Sequence, residues 1–224
     1  MKWTELLDAT GAEPIFETGL LLVGDVDRAD VLRQLSRWTS AGKLLQLRRG
    51  LYAFAGADAR ARRAAEPFEV ANRLVPGSYV SLSSVLAAAG LIPEYVPVTT
   101  SVTTGRPGRF ITPLGAFVYR HVKPAMFWGY EAHDVSRGVR AYVAPPEKAL
   151  VDVLYLEPDS SNPAYLEELR IQNLDGLRLD TLEMMATRCG LRRVGEAVHL
   201  IEEMAHRERL EYVPWQAPGE GGVR

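Results

Sequence analysis

The sequence has a single cysteine, Cys189, among its 224 residues. One thiol forms neither an internal disulfide nor a CxxC zinc motif, so disulfide-linked and zinc-ribbon folds are excluded. There is no run of about 18 apolar residues, and the first residues lack the charged and then apolar layout of a signal peptide. We therefore expect a cytoplasmic protein that does not enter a membrane, with Cys189 packed inside a helical region.

Sequence motifs of several enzyme classes are also missing. There is no GxxxxGK[ST] phosphate-binding loop and no GxSxG nucleophile elbow, so the common nucleotide hydrolases and esterases are excluded. The histidines are scattered at His121, His133, His199 and His206. The last two are seven residues apart, whereas two zinc ligands on one helix face are four apart. We expect no metal site and no other cofactor.

The formal net charge is −2, but charge is distributed unevenly along the chain. Residues 28–63 contain nine basic and two acidic residues, so this block carries +7 and the rest of the chain −9. The distribution of charge matters more than its total for attraction to a polyanion. A basic block inside an acidic chain is typical of a DNA-binding module joined to a second domain.

The basic block begins with a helical pattern between Asp27 and Gly42. Asp27 is a favourable N-cap, and Gly42 suits the position after the last turn. The helical period places the core side at Val31, Leu32, Leu35 and Trp38. The opposite, solvated side is then formed by Arg33, Ser36, Arg37 and Ser40.

A tight hairpin is predicted directly after this helix. Strand-forming residues at 44–54 flank the turn Arg48-Arg49-Gly50. Three short elements are predicted before this helix: a helix in residues 3–10, an extended piece at 15–16 and a brief buried helix at 20–23. The sequence therefore predicts a winged helix-turn-helix over residues 1–56. In such a fold the helix presents Arg to guanine in the major groove, and the hairpin tip meets phosphates. The predicted DNA contacts are Arg28, Arg33, Ser36, Arg37, Ser40, Lys43, Arg48 and Arg49.

The remaining sequence predicts a second, mixed α/β domain over residues 67–215. Residues 57–66, rich in Ala and Arg, predict a linker, and residues 216–224 a flexible tail. Residues 96–104 and 115–122 predict one antiparallel strand pair, and residues 139–143 a third strand. A buried helix is predicted at 147–156, and helices dominate after Pro163. The predicted class is α+β: an N-terminal winged helix-turn-helix, then an antiparallel sheet and C-terminal helices.

Two further patterns have competing interpretations. Arg106 and Arg109 in the connection 105–109 would give a second basic contact, but a Gly/Pro-rich strand connection explains this segment better. Glu147, Lys148 and Asp152 suggest a metal-dependent nuclease, but the first two are adjacent at a helix start and point about 100° apart. The helix dipole accounts for Glu147. We expect no enzymatic activity.

Three segments together resemble the AbiEi family of abortive-infection antitoxins. They are Leu-Arg-Arg-Gly-Leu-Tyr at 47–52, Tyr-Val-Ser-Leu-Ser-Ser-Val-Leu at 79–86, and Ala-Pro-Pro-Glu-Lys-Ala-Leu-Val-Asp at 144–152. The resemblance extends to about residue 156 and more loosely beyond it, while residues 13–24 depart from the family's usual second helix. It implies a winged helix-turn-helix that represses its own operon at inverted repeats. It also implies a C-terminal domain that counters a nucleotidyltransferase toxin encoded beside it.

The alternative to a DNA-binding repressor is a protein-interaction module or an enzyme. In that case the basic N-terminal part binds a partner other than specific DNA. A gel shift with the chain's own upstream DNA separates the two hypotheses.

Overall fold

A computed structural model describes residues 1–24, 26–56, 64–94, 96–136 and 138–211. They contain eight α-helices and two sheets, which confirms the α+β class. The chain divides into two compact units, residues 1–85 with 95–145 and residues 86–94 with 146–224. Residues 57–63 of the predicted linker and the predicted tail at 216–224 lie outside the described residues, and the domain bounds stay a prediction.

The first unit begins with a small helical and three-stranded assembly. Its elements are α1 (Trp3–Thr10), β1 (Ile15–Glu17), a 3₁₀ helix (Thr18–Leu22), α2 (Arg28–Ser40), β2 (Leu44–Arg48) and β3 (Leu51–Phe54). The strands are antiparallel in the order β1-β3-β2. The helix and the hairpin predicted between residues 27 and 54 are therefore present. The segment at 13–24 forms a strand and a 3₁₀ turn, and no α-helix precedes α2 after α1 in this part of the described chain.

The inner face of α2 lies on an apolar core. The Asp27 carboxylate caps this helix by accepting from the Ala29 N–H at 2.8 Å. Val31 and Leu35 are fully buried. Trp38 is half-buried and packs edge to face on Trp3, with ring centroids 5.0 Å apart.

Leu32 corrects one part of the predicted core face. The helical pattern placed it inward, but 42% of the residue is exposed. Leu32 is rotated about 100° from Val31. The small assembly buries only the narrow stripe through Val31 and Leu35, so Leu32 lies beyond its edge.

The second sheet of this unit has six strands in the order β6-β7-β5-β4-β9-β8. Its elements, with the helices between them, are α3 (Pro67–Leu74), β4 (Ser78–Val80), α4 (Ser83–Ala88), β5 (Val98–Thr103), β6 (Gly108–Thr112), β7 (Gly115–His121), a 3₁₀ helix (Pro124–Met126), β8 (Glu131–Ser136) and β9 (Val139–Val143). The strand predicted at 139–143 is confirmed.

The predicted antiparallel pairing of β5 with β7 is wrong. The two strands are parallel neighbours, with Thr100 opposite Val118. The connection predicted as a loop contains β6, which lies antiparallel to β7 at the edge of the sheet, with Phe110 opposite Phe117. The chain thus reverses twice between β5 and β7, which makes these two strands parallel.

Helix α3 covers one face of this sheet. The Tyr119 hydroxyl on β7 donates to the Ala71 carbonyl of α3 at 2.6 Å, and burial raises the pKa of Tyr119 well above its usual range. On the opposite face, Tyr79 of β4 stacks on Tyr130 with centroids 4.5 Å apart. Both faces of the central strand β4 are therefore packed.

The second unit is helical in its described residues. It contains α5 (Pro146–Leu156), α6 (Pro163–Glu168), a 3₁₀ helix (Leu174–Gly176), α7 (Leu179–Cys189) and α8 (Arg192–Glu211). Helix α5 is buried, as predicted, and packs against α7 and α8. Cys189 is half-buried, and burial raises the pKa of its thiol. Of the helices in the described ranges, none combines the length and the apolar character that a membrane crossing requires.

Candidate nucleic-acid interface

The polar face of α2 is open to solvent. The buried stripe through Val31 and Leu35 turns the opposite side of the helix outward. This outward side carries Arg33, Ser36, Arg37 and Ser40, which are all exposed. Arg28, the fifth contact predicted on α2, is also exposed, but the helical period places it about 180° around the helix from Arg37. The small Ser36 and Ser40 flank Arg37 on this side, so a groove wall can approach the helix backbone there.

The arginines of this face differ in how far their charge is compensated. Arg33 forms an ion pair with Asp30, with Nη2 and Oδ1 3.0 Å apart, and its side chain is 63% exposed. Asp30 also accepts from the N-terminal ammonium of Met1 at 2.9 Å. The hydrogen bonds from this ammonium and from Arg33 lower the pKa of Asp30 to about 2, so Asp30 stays ionised beside Arg33. Arg33 therefore presents less net charge than its residue type suggests.

Arg37 and Arg28 have no acidic partner within the described part of the chain. Arg37 makes a 3.4 Å hydrogen bond from Nη1 to the neutral Gln34 amide oxygen. Arg28, in the first turn of α2, is exposed. These two guanidinium groups are the least compensated charges on α2, and of the two only Arg37 lies on the polar face opposite Val31 and Leu35.

The two arginines of the hairpin have different environments. Arg48 donates from Nε to the Leu74 carbonyl at 3.0 Å and from Nη2 to the Arg73 carbonyl at 3.4 Å. It also pairs with Glu17 at 3.3 Å, and its side chain is only 29% exposed. Carbonyls at the end of a helix carry the negative end of its dipole. Arg48 therefore joins the hairpin to the C-terminus of α3 and to β1.

Arg49 lies at the tip of the hairpin and is exposed. In the described ranges its side chain has no ion pair or hydrogen bond. The adjacent Gly50 has φ +81°, a conformation that favours glycine, and its carbonyl accepts from the Thr18 N–H at 2.8 Å. The tip that presents Arg49 is thus held by the 3₁₀ helix.

Lys43 connects the helix side to the hairpin side of this surface. The residue is exposed, and its ammonium lies 5.1 Å from the centre of the Trp3 ring. An aromatic ring attracts a cation without neutralising it. Lys43 keeps its charge for an anionic partner.

The prediction of a buried helix at 20–23 is wrong, because only Leu21 of that run is buried. Leu20, Val23, Val26 and Leu32 are 48%, 76%, 44% and 42% exposed. They belong to the 3₁₀ helix, the turn that follows it and the first part of α2. The signal was present in the run Leu-Leu-Leu-Val at 20–23, because a single 3₁₀ turn cannot bury four successive apolar side chains.

The residues considered for a nuclease occupy a different environment, inside the second unit. Lys148 and Asp152 are both fully buried and form an ion pair one helical turn apart. Burial lowers the pKa of Lys148, while Asp152 opposes that shift. In the ranges that the structure describes, no group of three or more His, Cys, Asp or Glu side chains is arranged to hold a metal ion.

Glu147 is also engaged internally. It accepts from Arg178 Nε at 3.0 Å and from the Arg178 N–H at 3.1 Å, and 2% of the residue is exposed. Burial raises its pKa, but the hydrogen bonds from Arg178 outweigh burial, so the pKa is lowered. Glu147, Lys148 and Asp152 thus make internal ion pairs, and the nuclease hypothesis gains no support from them.

Comparison with models of known protein families finds no match, and comparison with curated protein sequences finds none. The resemblance to the AbiEi family therefore stays a prediction.

Proposed function

We propose that this chain is a DNA-binding transcriptional repressor and the antitoxin of a toxin-antitoxin system. The observation that carries the DNA-binding part is the exposed polar face of α2, where Arg37 has no acidic partner in the described residues. An arginine that is merely solvated does not need small side chains beside it or the absence of an acidic partner. An uncompensated guanidinium group flanked by the small Ser36 and Ser40 fits the edge of a nucleic-acid groove.

The order of elements in the first assembly supports a winged helix-turn-helix. A helix, a strand, a short 3₁₀ helix and the longer α2 are followed by a hairpin whose second strand pairs with β1. In this proposal the 3₁₀ helix takes the place of the first helix of the motif, and α2 is the recognition helix. The hairpin of β2 and β3 is the wing.

Within the wing, we assign Arg49 and not Arg48 to the DNA backbone. Arg48 is already committed to carbonyl and carboxylate acceptors inside the protein. Arg49 and Lys43 are exposed and retain their charge. Such groups position a protein on phosphates, whereas the side chains of α2 supply base selection.

The antitoxin part of the proposal rests on the resemblance to the AbiEi family. That resemblance implies operator DNA with inverted repeats and a neighbouring nucleotidyltransferase toxin as partners. Co-expression with the product of the adjacent gene tests it. Protection of cells from a toxic neighbour supports the antitoxin role, and a neighbour that is harmless or equally toxic with the chain present contradicts it.

Fluorescence anisotropy with duplex DNA tests the DNA-binding part. The wild type is expected to prefer DNA from upstream of its own gene over random DNA. Arg37→Ala should cost about 1–3 kcal/mol on the upstream DNA and reduce that preference, because a groove contact is lost. Arg192→Ala is the matched control, since Arg192 is 93% exposed but lies in the second unit. Equal effects of both substitutions, or no preference by the wild type, would refute the proposal.

A protein-interaction module is the second candidate, and the exposed Leu20, Val23 and Val26 favour it. Solvent-exposed apolar clusters often mark protein contacts. On this alternative, Val23→Ser abolishes binding of a protein partner. The wild type then binds upstream and random DNA with equal affinity, and Arg37→Ala does not change that affinity.

A further inference from the structure

A second basic surface lies on the large sheet of the first unit, on the strands β6 and β7. Arg109 lies opposite Val118 in the antiparallel pairing, so both side chains are on one face. Arg120 follows Val118 by two residues and therefore shares that face. The diagonal separation of such positions is about 7–8 Å. We call the face formed by Arg109, Ile111 and Arg120 the ribbon patch.

The ribbon patch has no internal compensation of its charge. Arg109 and Arg120 are exposed, and in the described ranges neither side chain has an ion pair or a hydrogen bond. The sequence from residue 95 to residue 130 contains four basic and no acidic residues. Like charges that lie directly opposite each other on two strands destabilise a sheet. Arg109 and Arg120 are diagonal neighbours and not directly opposite, so two positive charges lie close together at little cost to stability and stay available to an anion.

Protection of an open sheet edge does not explain both arginines. Charged residues on an edge strand prevent edge-to-edge aggregation, and β6 is an edge strand. Arg120, however, is on β7, which is paired on both sides. Ile111 on the same face is 79% exposed, which adds apolar area to a charged surface. These features favour a binding face.

We infer that the ribbon patch is a second contact for the sugar-phosphate backbone of the bound DNA. This inference rests on the proposed DNA-binding function. The patch belongs to the same compact unit as α2, and β2 of the hairpin lies beside β6. Guanidinium groups bind phosphate with paired, charge-assisted hydrogen bonds. The anion proposed to bind the patch is the backbone of the DNA duplex that α2 and the hairpin of the same unit hold.

The test is a salt titration of DNA affinity for Arg109→Ala, Arg120→Ala and the double variant. Each lost phosphate contact should make the slope of log affinity against log salt shallower by about 0.9. The loss should be nearly equal on upstream and random DNA. Arg109→Lys/Arg120→Lys should retain the wild-type slope, because the charge is kept. Arg140→Ala is the control, since Arg140 is exposed on β9 of the same sheet.

Failure of this inference is distinguishable from failure of the proposed function. If Arg37→Ala weakens DNA binding but the double variant keeps the wild-type slope, the ribbon patch is not a DNA contact and the proposed function stands. The ribbon patch is also not a DNA contact if the double variant binds DNA like the wild type but no longer protects cells against the toxin. That result would indicate an acidic protein partner for the patch. If the wild type does not bind DNA, both are refuted. Thermal unfolding of the variants should match the wild type, because both arginines are exposed.

Discussion

The buried Lys148–Asp152 pair gives a prediction about stability whose magnitude follows from its environment. Both side chains are completely shielded from solvent within α5. Lys148→Met removes the ammonium from beside the Asp152 carboxylate while retaining most of the side-chain volume. Breaking a buried pair on one side typically costs about 3–5 kcal/mol, because the remaining charge is poorly solvated. For a chain of this size the melting temperature should fall by about 6–20 °C, taking about 2–4 °C per kcal/mol.

The double variant Lys148→Met/Asp152→Leu should be much more stable than the single variant. It removes both charges and fills the site with apolar groups, a replacement that is often neutral or stabilising by about 1–4 kcal/mol. An exposed pair with the same spacing is the control. Arg192 and Glu196 are also four residues apart, with side chains 93% and 45% exposed. Arg192→Ala should cost no more than about 0.5 kcal/mol.

Urea unfolding followed by circular dichroism measures these differences. The reasoning is refuted if Lys148→Met costs less than about 1 kcal/mol, below the range for a broken buried pair. It is equally refuted if the double variant is as unstable as the single one, since the ion pair would then be required in its own right. DNA binding by the folded double variant should equal that of the wild type, because both residues lie outside the proposed interface.

Two further predictions concern the hairpin and the pH dependence of stability. Arg48→Ala should lower the free energy of unfolding by about 1–3 kcal/mol, as expected for lost hydrogen bonds to a charged group. Arg49→Ala should leave the melting temperature unchanged and make the slope of log DNA affinity against log salt shallower by about 0.9. If Arg49→Ala lowers stability and Arg48→Ala changes only the salt slope, the roles assigned to the two arginines are wrong. The lowered pKa of Glu147 contributes stability above the ordinary glutamate pKa, which is lost as the pH falls through the lowered value. Glu147→Gln should flatten that acid-side loss in urea titrations, whereas Glu196→Gln should not.

The parts of the fold that the sequence predicted correctly are those fixed by local interactions. Helix α2 has its cap at Asp27, a clear apolar period and a glycine beyond its end, all within one segment. The hairpin turn is set by Gly50 and the residues around it. Burial of Val31 and Leu35 follows from the same local pattern.

The sheet was predicted less well because its pairing depends on residues far apart in sequence. Strand β8 has mainly polar, exposed residues, Glu131 to Asp134, so no apolar alternation reveals it. Strand β4 is only three residues long. Strand β6 follows Gly105 and Pro107, which predict a loop. Once β6 is missed, the direction of β7 relative to β5 is assigned incorrectly.

The interface illustrates the same limit at the level of single side chains. Arg48 and Arg49 contribute equally to a count of charge, yet their environments are opposite, because the acceptors of Arg48 include the Leu74 carbonyl on α3. Arg33 is likewise partly compensated by Asp30. The charge available to DNA on α2 and the hairpin is therefore smaller than the basic block suggests. On the proposed function, the ribbon patch restores part of it from residues that lie outside that block, so the salt dependence of binding cannot be derived from residues 28–63 alone.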